Sequence, residues 1–144
     1  CWDLEGTIRR SFTCAWRGIR PILSPRLARQ QSRLLVLRGG AVAVSGETDL
    51  VTDGKTLIFS QGGSSLMSKV TGFGCSQGGV LAVYACVTDP LTAALAGVAH
   101  YNCAGTRAER IASAPASFKV ALLMNFTGFL PTTLQINPFE LEEI

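Results

Sequence analysis

Residues 69–79 read Lys-Val-Thr-Gly-Phe-Gly-Cys-Ser-Gln-Gly-Gly, and this is the most informative stretch of the chain. Two glycines, Gly72 and Gly74, form a turn that runs directly into a long apolar segment with helical character. Such a turn presents backbone N–H groups at a helix start, where they can hold an anion. Cys75 falls in the first turn of the same helix, where the helix dipole favours the thiolate. The alternative interpretation is a tight strand-to-helix turn that binds nothing.

The glycine pattern does not match the common nucleotide-binding motifs. A dinucleotide fingerprint needs a third glycine at the position that Gln77 occupies. No complete Walker A sequence occurs in the chain either. A short anion cradle beside a thiol remains, and this combination suits phosphoryl transfer or acyl chemistry.

The composition predicts one globular domain joined to a basic segment. Of 144 residues, 47% are apolar and 16% are charged, which suffices for a single core. Residues 1–38 carry eight arginines against two acids, whereas the remainder carries five bases against eight acids. Pro21 and Pro25 break any long helix in the basic segment. A binding module for nucleic acid or acidic surfaces is one hypothesis for it, but with few aromatic residues there we expect no nucleic-acid partner.

The cysteine pattern argues against a zinc site and against secretion. No CxxC pair occurs and His100 is the single histidine, so we expect no metal ligands and a reduced, cytoplasmic protein. The longest apolar run, residues 80–87, is too short to span a bilayer, and no signal peptide is visible. We expect Cys86, Cys103 and His100 to be packing residues on apolar helix faces.

Strand and helix signals from Gly39 onward predict an α/β fold. Asp53-Gly54 joins two β-prone runs as a hairpin. Asp89-Pro90 begins a helix that ends near Gly105 or continues through residues 107–111. Ser117 is predicted to cap a third helix. Residues 34–37 could form a short strand, and further predicted strands cover 41–44, 49–52 and 55–60. The predicted helices cover 73–87, 90–104 and 117–127, and the tail with Glu140, Glu142 and Glu143 is expected to be a solvated end.

Residues 39–126 resemble the hydroxyethylthiazole kinases of the ribokinase-like superfamily. Residues 41–49, AVAVSGETD, are similar to the strand and loop ahead of the family's hairpin, and residues 51–55, VTDGK, to the hairpin itself. Residues 69–75, KVTGFGC, resemble the family's VTGTGC motif, with Phe73 where Thr is usual. Residues 114–118, APASF, resemble a GPGSF segment with both glycines replaced. The cysteine is the discriminating element, because most ribokinase-like kinases have Asp in its place.

The resemblance implies a reaction and a set of roles. The family uses ATP and Mg²⁺ to phosphorylate the hydroxyl of 4-methyl-5-(2-hydroxyethyl)thiazole in thiamine biosynthesis. By motif position, Ser45 contacts ATP, Gly72 contacts the thiazole alcohol, and Cys75 takes or orients the hydroxyl proton. Backbone amides of Gly72, Gly74 and Cys75 would form an anion hole for the transferring phosphoryl group.

The departures from the family define two parts of the chain. Residues 1–38 lack family resemblance, and residues 39–144 are predicted to be the C-terminal part of a ribokinase-like α/β sandwich with about three helices. A frameshift, a misjoined gene model or a real truncation would each give such a segment. Residues 137–140 have the spacing of the family's Asn-x-x-Glu motif but lie at the wrong end, so the match is attributed to chance.

The departures also bear on activity. The N-terminal half of a complete member supplies much of the thiazole pocket and an arginine for ATP, and complete members are homotrimers with active sites between subunits. We therefore expect impaired activity in this chain. The alternative is an inactive remnant that keeps only nucleotide or phosphate binding.

Overall fold

The computed structural model describes residues 12–16, for which it defines the backbone, and residues 40–127 and 137–143. Within them the chain forms a five-stranded sheet and three α-helices, which confirms the predicted α/β class. The strands are β1 (Phe12–Trp16), β2 (Ala41–Ser45), β3 (Thr48–Thr52), β4 (Thr56–Gln61) and β5 (Phe139–Glu143), a 3₁₀ helix covers Ser65–Lys69, and the α-helices are α1 (Phe73–Ala85), α2 (Pro90–Glu109) and α3 (Pro115–Met124). The strand suggested by the sequence at residues 34–37 lies outside the described residues.

The strands lie in the sheet in chain order. β1 pairs with β2 in parallel, and the remaining neighbours pair antiparallel. Because side chains alternate across a strand, the register places Ala43, Val51 and Ile58 on one face of the sheet. On this face the β2 and β3 side chains pack against Leu81 of α1 and Val98 of α2. The opposite face is also apolar and buried, and it carries Val42, Val44, Leu50 and Leu57.

The hairpin between β3 and β4 forms where the sequence predicts it. Gly54 adopts a φ of 91°, which a residue with a side chain rarely adopts. Thr52 Oγ1 accepts a hydrogen bond from Gly54 N at 3.0 Å and donates one to Thr56 O at 2.7 Å. Asp53 Oδ1 accepts from Lys55 N at 2.9 Å. The Gly-Lys-Thr triplet in this turn therefore belongs to a hairpin and not to a phosphate-binding loop.

Helix α2 confirms its predicted start, and its end follows the predicted alternative that continues beyond Gly105. Asp89 caps the helix, since its Oδ1 accepts from Thr92 N at 3.0 Å. The helix does not end at Ala104 but continues through Gly105 to Glu109. A Cβ at Gly105 would lie 2.7 Å from Met67 Sδ, so this glycine allows close packing and does not terminate the helix.

One further prediction about the C-terminal part is wrong, and another is incomplete. Ser117 is not a helix cap, because α3 begins at Pro115 and Ser117 Oγ donates to Ala114 O at 2.9 Å within the first turn. The acidic tail is not merely a solvated end, because it forms β5, in which Leu141 pairs with Ile58 of β4. The backbone hydrogen bonds of a sheet edge stabilise a strand here even though Glu140 and Glu142 are exposed.

Candidate functional site

The start of α1 follows a glycine in the left-handed conformation. Gly72 is the N-cap, with φ 91° and ψ 0°, and it is exposed. A Cβ at this position would meet nothing within 4 Å, so the requirement for glycine comes from the backbone angle and not from space. The helix begins when Ser76 N donates to Gly72 O at 3.0 Å. The predicted helix start is therefore confirmed, and its first turn carries Cys75.

Buried aromatic residues fix this first turn. The ring of Phe73 is 5% exposed, stacks on Phe118 with centroids 5.7 Å apart, and meets the edge of Tyr101 at 5.8 Å. Tyr101 OH donates to Phe73 O at 2.8 Å and lies 2.6 Å from Ser76 Oγ. Phe73, at the position where the family usually has Thr, is thus a core residue that anchors the helix start.

The structure brings Ser45 to the same helix. Ser45 is the last residue of β2, and its Oγ donates to Oε1 of Gln77. Gln77 lies two residues beyond Cys75 on α1 and is 2% exposed. The residue predicted to contact ATP and the residue predicted to be catalytic therefore lie on two elements joined by one hydrogen bond.

The loop after Ser45 is held by a buried carboxylate. Asp49 is 5% exposed, and its Oδ1 accepts from Gly46 N at 3.0 Å. Asn102 of α2 donates from Nδ2 to Asp49 Oδ2 at 2.8 Å. Burial raises the pKa of the Asp49 carboxyl, and the hydrogen bonds from Asn102 and Gly46 oppose that rise. This carboxylate is committed to contacts inside the protein.

The polar contacts around Asp49 extend to Asn137, the first residue of the last described segment. Ser60 lies opposite Asp49 across the β3–β4 pair, and its Oγ accepts from Asn137 Nδ2 at 2.6 Å. Sequence reasoning missed Gln77 and the Asp49–Asn102 pair, although the position of Asp49 beside an apolar strand was a usable signal. Asn137 was set aside as a chance match, and its observed place is a buried structural one.

The cysteines correct another prediction. Cys75 is exposed in the first turn of α1, but Cys86 is also exposed and Cys103 is only half-buried, so neither of these two is a core residue. Cys86 caps the C-terminal end of α1, where the helix leaves the core, and its Sγ donates to Ala82 O at 3.3 Å. Burial raises the pKa of the Cys103 thiol, while the charge of Arg107 opposes the rise. The helices are apolar on several faces, so the sequence did not show which face would be buried.

His100 occupies a packing position between helices. Its Nδ1 lies 2.9 Å from Tyr84 OH and its Nε2 lies 3.0 Å from Phe126 O. Its ring meets those of Tyr84 and Phe126 edge-on. These contacts agree with the interface role that the sequence indicates.

The segment that resembles GPGSF lies at the start of α3. Ala114 has an extended backbone, with φ −122° and ψ 149°, so alanine is accommodated there without strain. Phe118 is fully buried against Phe73, which places this segment behind the start of α1. The described residues hold no group of three or more His, Cys, Asp or Glu side chains that could bind a metal ion. No helix in the described part of the chain is both long and apolar enough to cross a membrane.

A family model described as the hydroxyethylthiazole kinase family matches residues 16–129, which is more than half of the chain. The chain belongs to the hydroxyethylthiazole kinase family. The match includes Ser45, Gly72 and Cys75, and it begins inside the segment 1–38, as strand β1 also does. The division of the chain at residue 38 stays a prediction.

Relatives and a solved structure agree with this family. A hydroxyethylthiazole kinase of Bifidobacterium longum is 57% identical over 83 residues, which are 58% of this chain and 26% of the relative. The enzyme of that name from Granulibacter bethesdensis is 41% identical over 109 residues, which are 74% of this chain and 40% of the relative. The structure of the hydroxyethylthiazole kinase protein of Pyrococcus horikoshii superposes with a TM-score of 0.74 at 26% identity and covers 82% of this chain and 46% of that chain. The chain thus spans less than half the length of these three proteins.

Proposed function

We propose that this chain carries the phosphoryl-transfer part of a kinase that phosphorylates the hydroxyl of 4-methyl-5-(2-hydroxyethyl)thiazole with ATP. One observation carries the proposal beyond the family match. The hydrogen bond from Ser45 Oγ to Gln77 Oε1 joins the strand end predicted to contact ATP to the helix that begins at the glycine turn. The strand end and the turn belong to separate motifs, and in the fold the strand end contacts the second turn of the helix that follows the glycine turn.

The proposed roles follow from this arrangement. Ser45 contacts ATP, and Gly72, the N-cap of α1, contacts the thiazole alcohol. The Cys75 thiolate accepts the hydroxyl proton while the alcohol oxygen bonds to the γ-phosphorus and ADP leaves. Backbone amides of the turn at Gly72 and Cys75, with Gly74 between them, stabilise charge on the transferring group. Exposure of Cys75 and Gly72 gives a substrate access to both.

Mg²⁺ would accompany ATP and neutralise charge on its phosphates. Such an ion is usually bound by phosphate oxygens and water with only one or two carboxylates. A site of that kind fits a chain whose described residues hold no cluster of three metal-ligating side chains. Asp49 is occupied by Gly46 and Asn102, so it is unsuited to a ligand role, whereas Glu47 in the same loop is exposed.

Incomplete activity is part of the proposal. The chain covers 26% and 40% of the two relatives described above. Phosphoryl transfer depends on holding nucleotide, metal ion and alcohol together, so we propose slow turnover. The second candidate, a remnant that binds nucleotide without turnover, is favoured by the same partial coverage. We further propose a cytoplasmic protein whose complete form is a homotrimer, without a nucleic-acid or membrane partner.

Transfer of labelled γ-phosphate from ATP to the thiazole alcohol tests the proposal. We expect slow product formation by the chain, and a loss of about 100-fold in Cys75→Ala with the Kd for ATP nearly unchanged. Cys86→Ala is the matched control, because Cys86 is exposed at the opposite end of the same helix. ATP binding without turnover would favour the remnant. Full turnover by Cys75→Ala would contradict the role given to Cys75.

A further inference from the structure

We propose that Gln77 is a positioning residue that couples the nucleotide contact at Ser45 to the helix start that carries Cys75. The inference rests on the proposed function, because it assumes that ATP binds beside Ser45. Position 77 lies outside the family-like motif at residues 69–75, and in the sequence it is notable only because it lacks the third glycine of a dinucleotide fingerprint. Its role is inferred from its place in the fold.

Gln77 is a polar residue in an apolar stripe. The buried residues of α1 are Phe73, Gln77 and Leu81, spaced four apart along one face. Burial of a side-chain amide costs free energy unless the amide is hydrogen-bonded. Gln77 is 2% exposed and accepts the hydrogen bond of Ser45 Oγ from a residue 32 positions away in the chain. An apolar residue could fill the same space without this cost. The hydrogen bond with Ser45 therefore explains why an amide occupies the position.

The two sides that Gln77 joins are each held in place independently. On the helix side, Tyr101 OH bonds to Phe73 O in the first turn. On the strand side, Asp49 bonds to Gly46 N, the residue next to Ser45. Neither of these contacts crosses from the Ser45 loop to α1. The hydrogen bond of Gln77 does cross, and it fixes the distance between the Ser45 hydroxyl and Gln77, which lies two residues beyond Cys75.

This distance matters for the proposed reaction. A kinase site must hold the nucleotide and the proton acceptor in one geometry, and small displacements lower the rate strongly. Replacement of Gln77 by an apolar residue would leave the Ser45 hydroxyl free to rotate away from the nucleotide. We therefore expect Gln77 to act on ATP affinity through Ser45, without contact between Gln77 and the nucleotide.

A double-mutant cycle tests the inference on the 144-residue chain. The variants are Ser45→Ala, Gln77→Leu and the double substitution, with Gln77→Met as a second apolar variant of similar shape. Gln61→Leu is the matched control, because Gln61 is an exposed glutamine at the end of β4. Two quantities are measured for each protein: the Kd for ATP by titration, and the urea midpoint of unfolding.

We expect Ser45→Ala, Gln77→Leu and Gln77→Met each to raise the Kd for ATP about tenfold, the effect of one hydrogen bond. The double variant should raise the Kd no further, since both substitutions remove the same contact between Ser45 and the nucleotide. Gln61→Leu should leave the Kd unchanged. A purely structural role for Gln77 would shift the unfolding midpoint and leave the Kd of the folded protein unaltered.

The outcomes separate the inference from the proposed function. If the wild-type chain binds ATP and Ser45→Ala weakens binding while both Gln77 variants bind normally, the inference alone is overturned. Fully additive effects of Ser45 and Gln77 on the Kd would also overturn it. If the wild-type chain does not bind ATP at all, the proposed function fails and the inference fails with it.

Discussion

The two ends of helix α1 differ in how their large side chains are packed. At the N-terminal end Phe73 and Gln77 are 5% and 2% exposed. At the C-terminal end Val83 is 70% exposed and Val87, just beyond the helix, is 80% exposed. The buried end is held by residues of β2, α2 and α3, and it is the end that carries Cys75. The fold therefore anchors the N-terminal end of α1, where the proposed site would need fixed geometry.

The largest expected effect concerns this difference in packing. Phe73→Ala should lower the free energy of unfolding by about 3–5 kcal/mol, because it removes a ring packed between Tyr101 and Phe118. Val87→Ala at the exposed end should change it by less than about 0.5 kcal/mol. Urea unfolding followed by circular dichroism measures both values. Similar losses at the two positions would show that the two ends are not anchored differently.

A smaller effect is expected from the backbone at the anchored end. Gly72→Ala should destabilise the chain by about 1 kcal/mol, because Gly72 has φ 91° although a Cβ there meets no atom within 4 Å. Gly79→Ala is the matched control, since Gly79 lies within α1 and also has open space around a Cβ. It should stabilise the chain by about 0.5–1 kcal/mol through helix propensity. The same unfolding experiment measures both changes. Changes of equal sign in the free energy of unfolding would contradict the left-handed conformation of Gly72.

The elements that the sequence predicted well are those with local chemical signals. The Asp53-Gly54 turn, the Asp89-Pro90 cap and the glycine turn at residue 72 each depend on neighbouring residues, and all three were confirmed. Predictions that depended on packing were weaker. Gly105 is buried against Met67 and does not end α2, and the acidic tail gains a strand from pairing with β4.

The candidate site divides in the same way. Ser45, Gly72 and Cys75 came from motif resemblance, and their roles stay predictions. The partners of Gln77 and Asp49 could not be assigned from sequence, because Ser45 lies 32 residues from Gln77 and Asn102 lies 53 residues from Asp49. Their hydrogen bonds form only when the strands pack against α1 and α2. The burial of Cys86 was predicted wrongly for the same reason, since an apolar helix did not reveal its exposed end.

The reaction of Cys75 and Cys86 with iodoacetamide shows whether substrates bind at the N-terminal end of α1. Both thiols are exposed on α1, so each reports on its own end of the helix. We predict that ATP with Mg²⁺ and the thiazole alcohol, at about ten times their Kd values, slows alkylation of Cys75 about tenfold. Alkylation of Cys86, quantified in the same digest by peptide mapping, should proceed at an unchanged rate. An unchanged rate at Cys75, or equal slowing at both cysteines, would contradict the assignment of the anchored helix end as the substrate site.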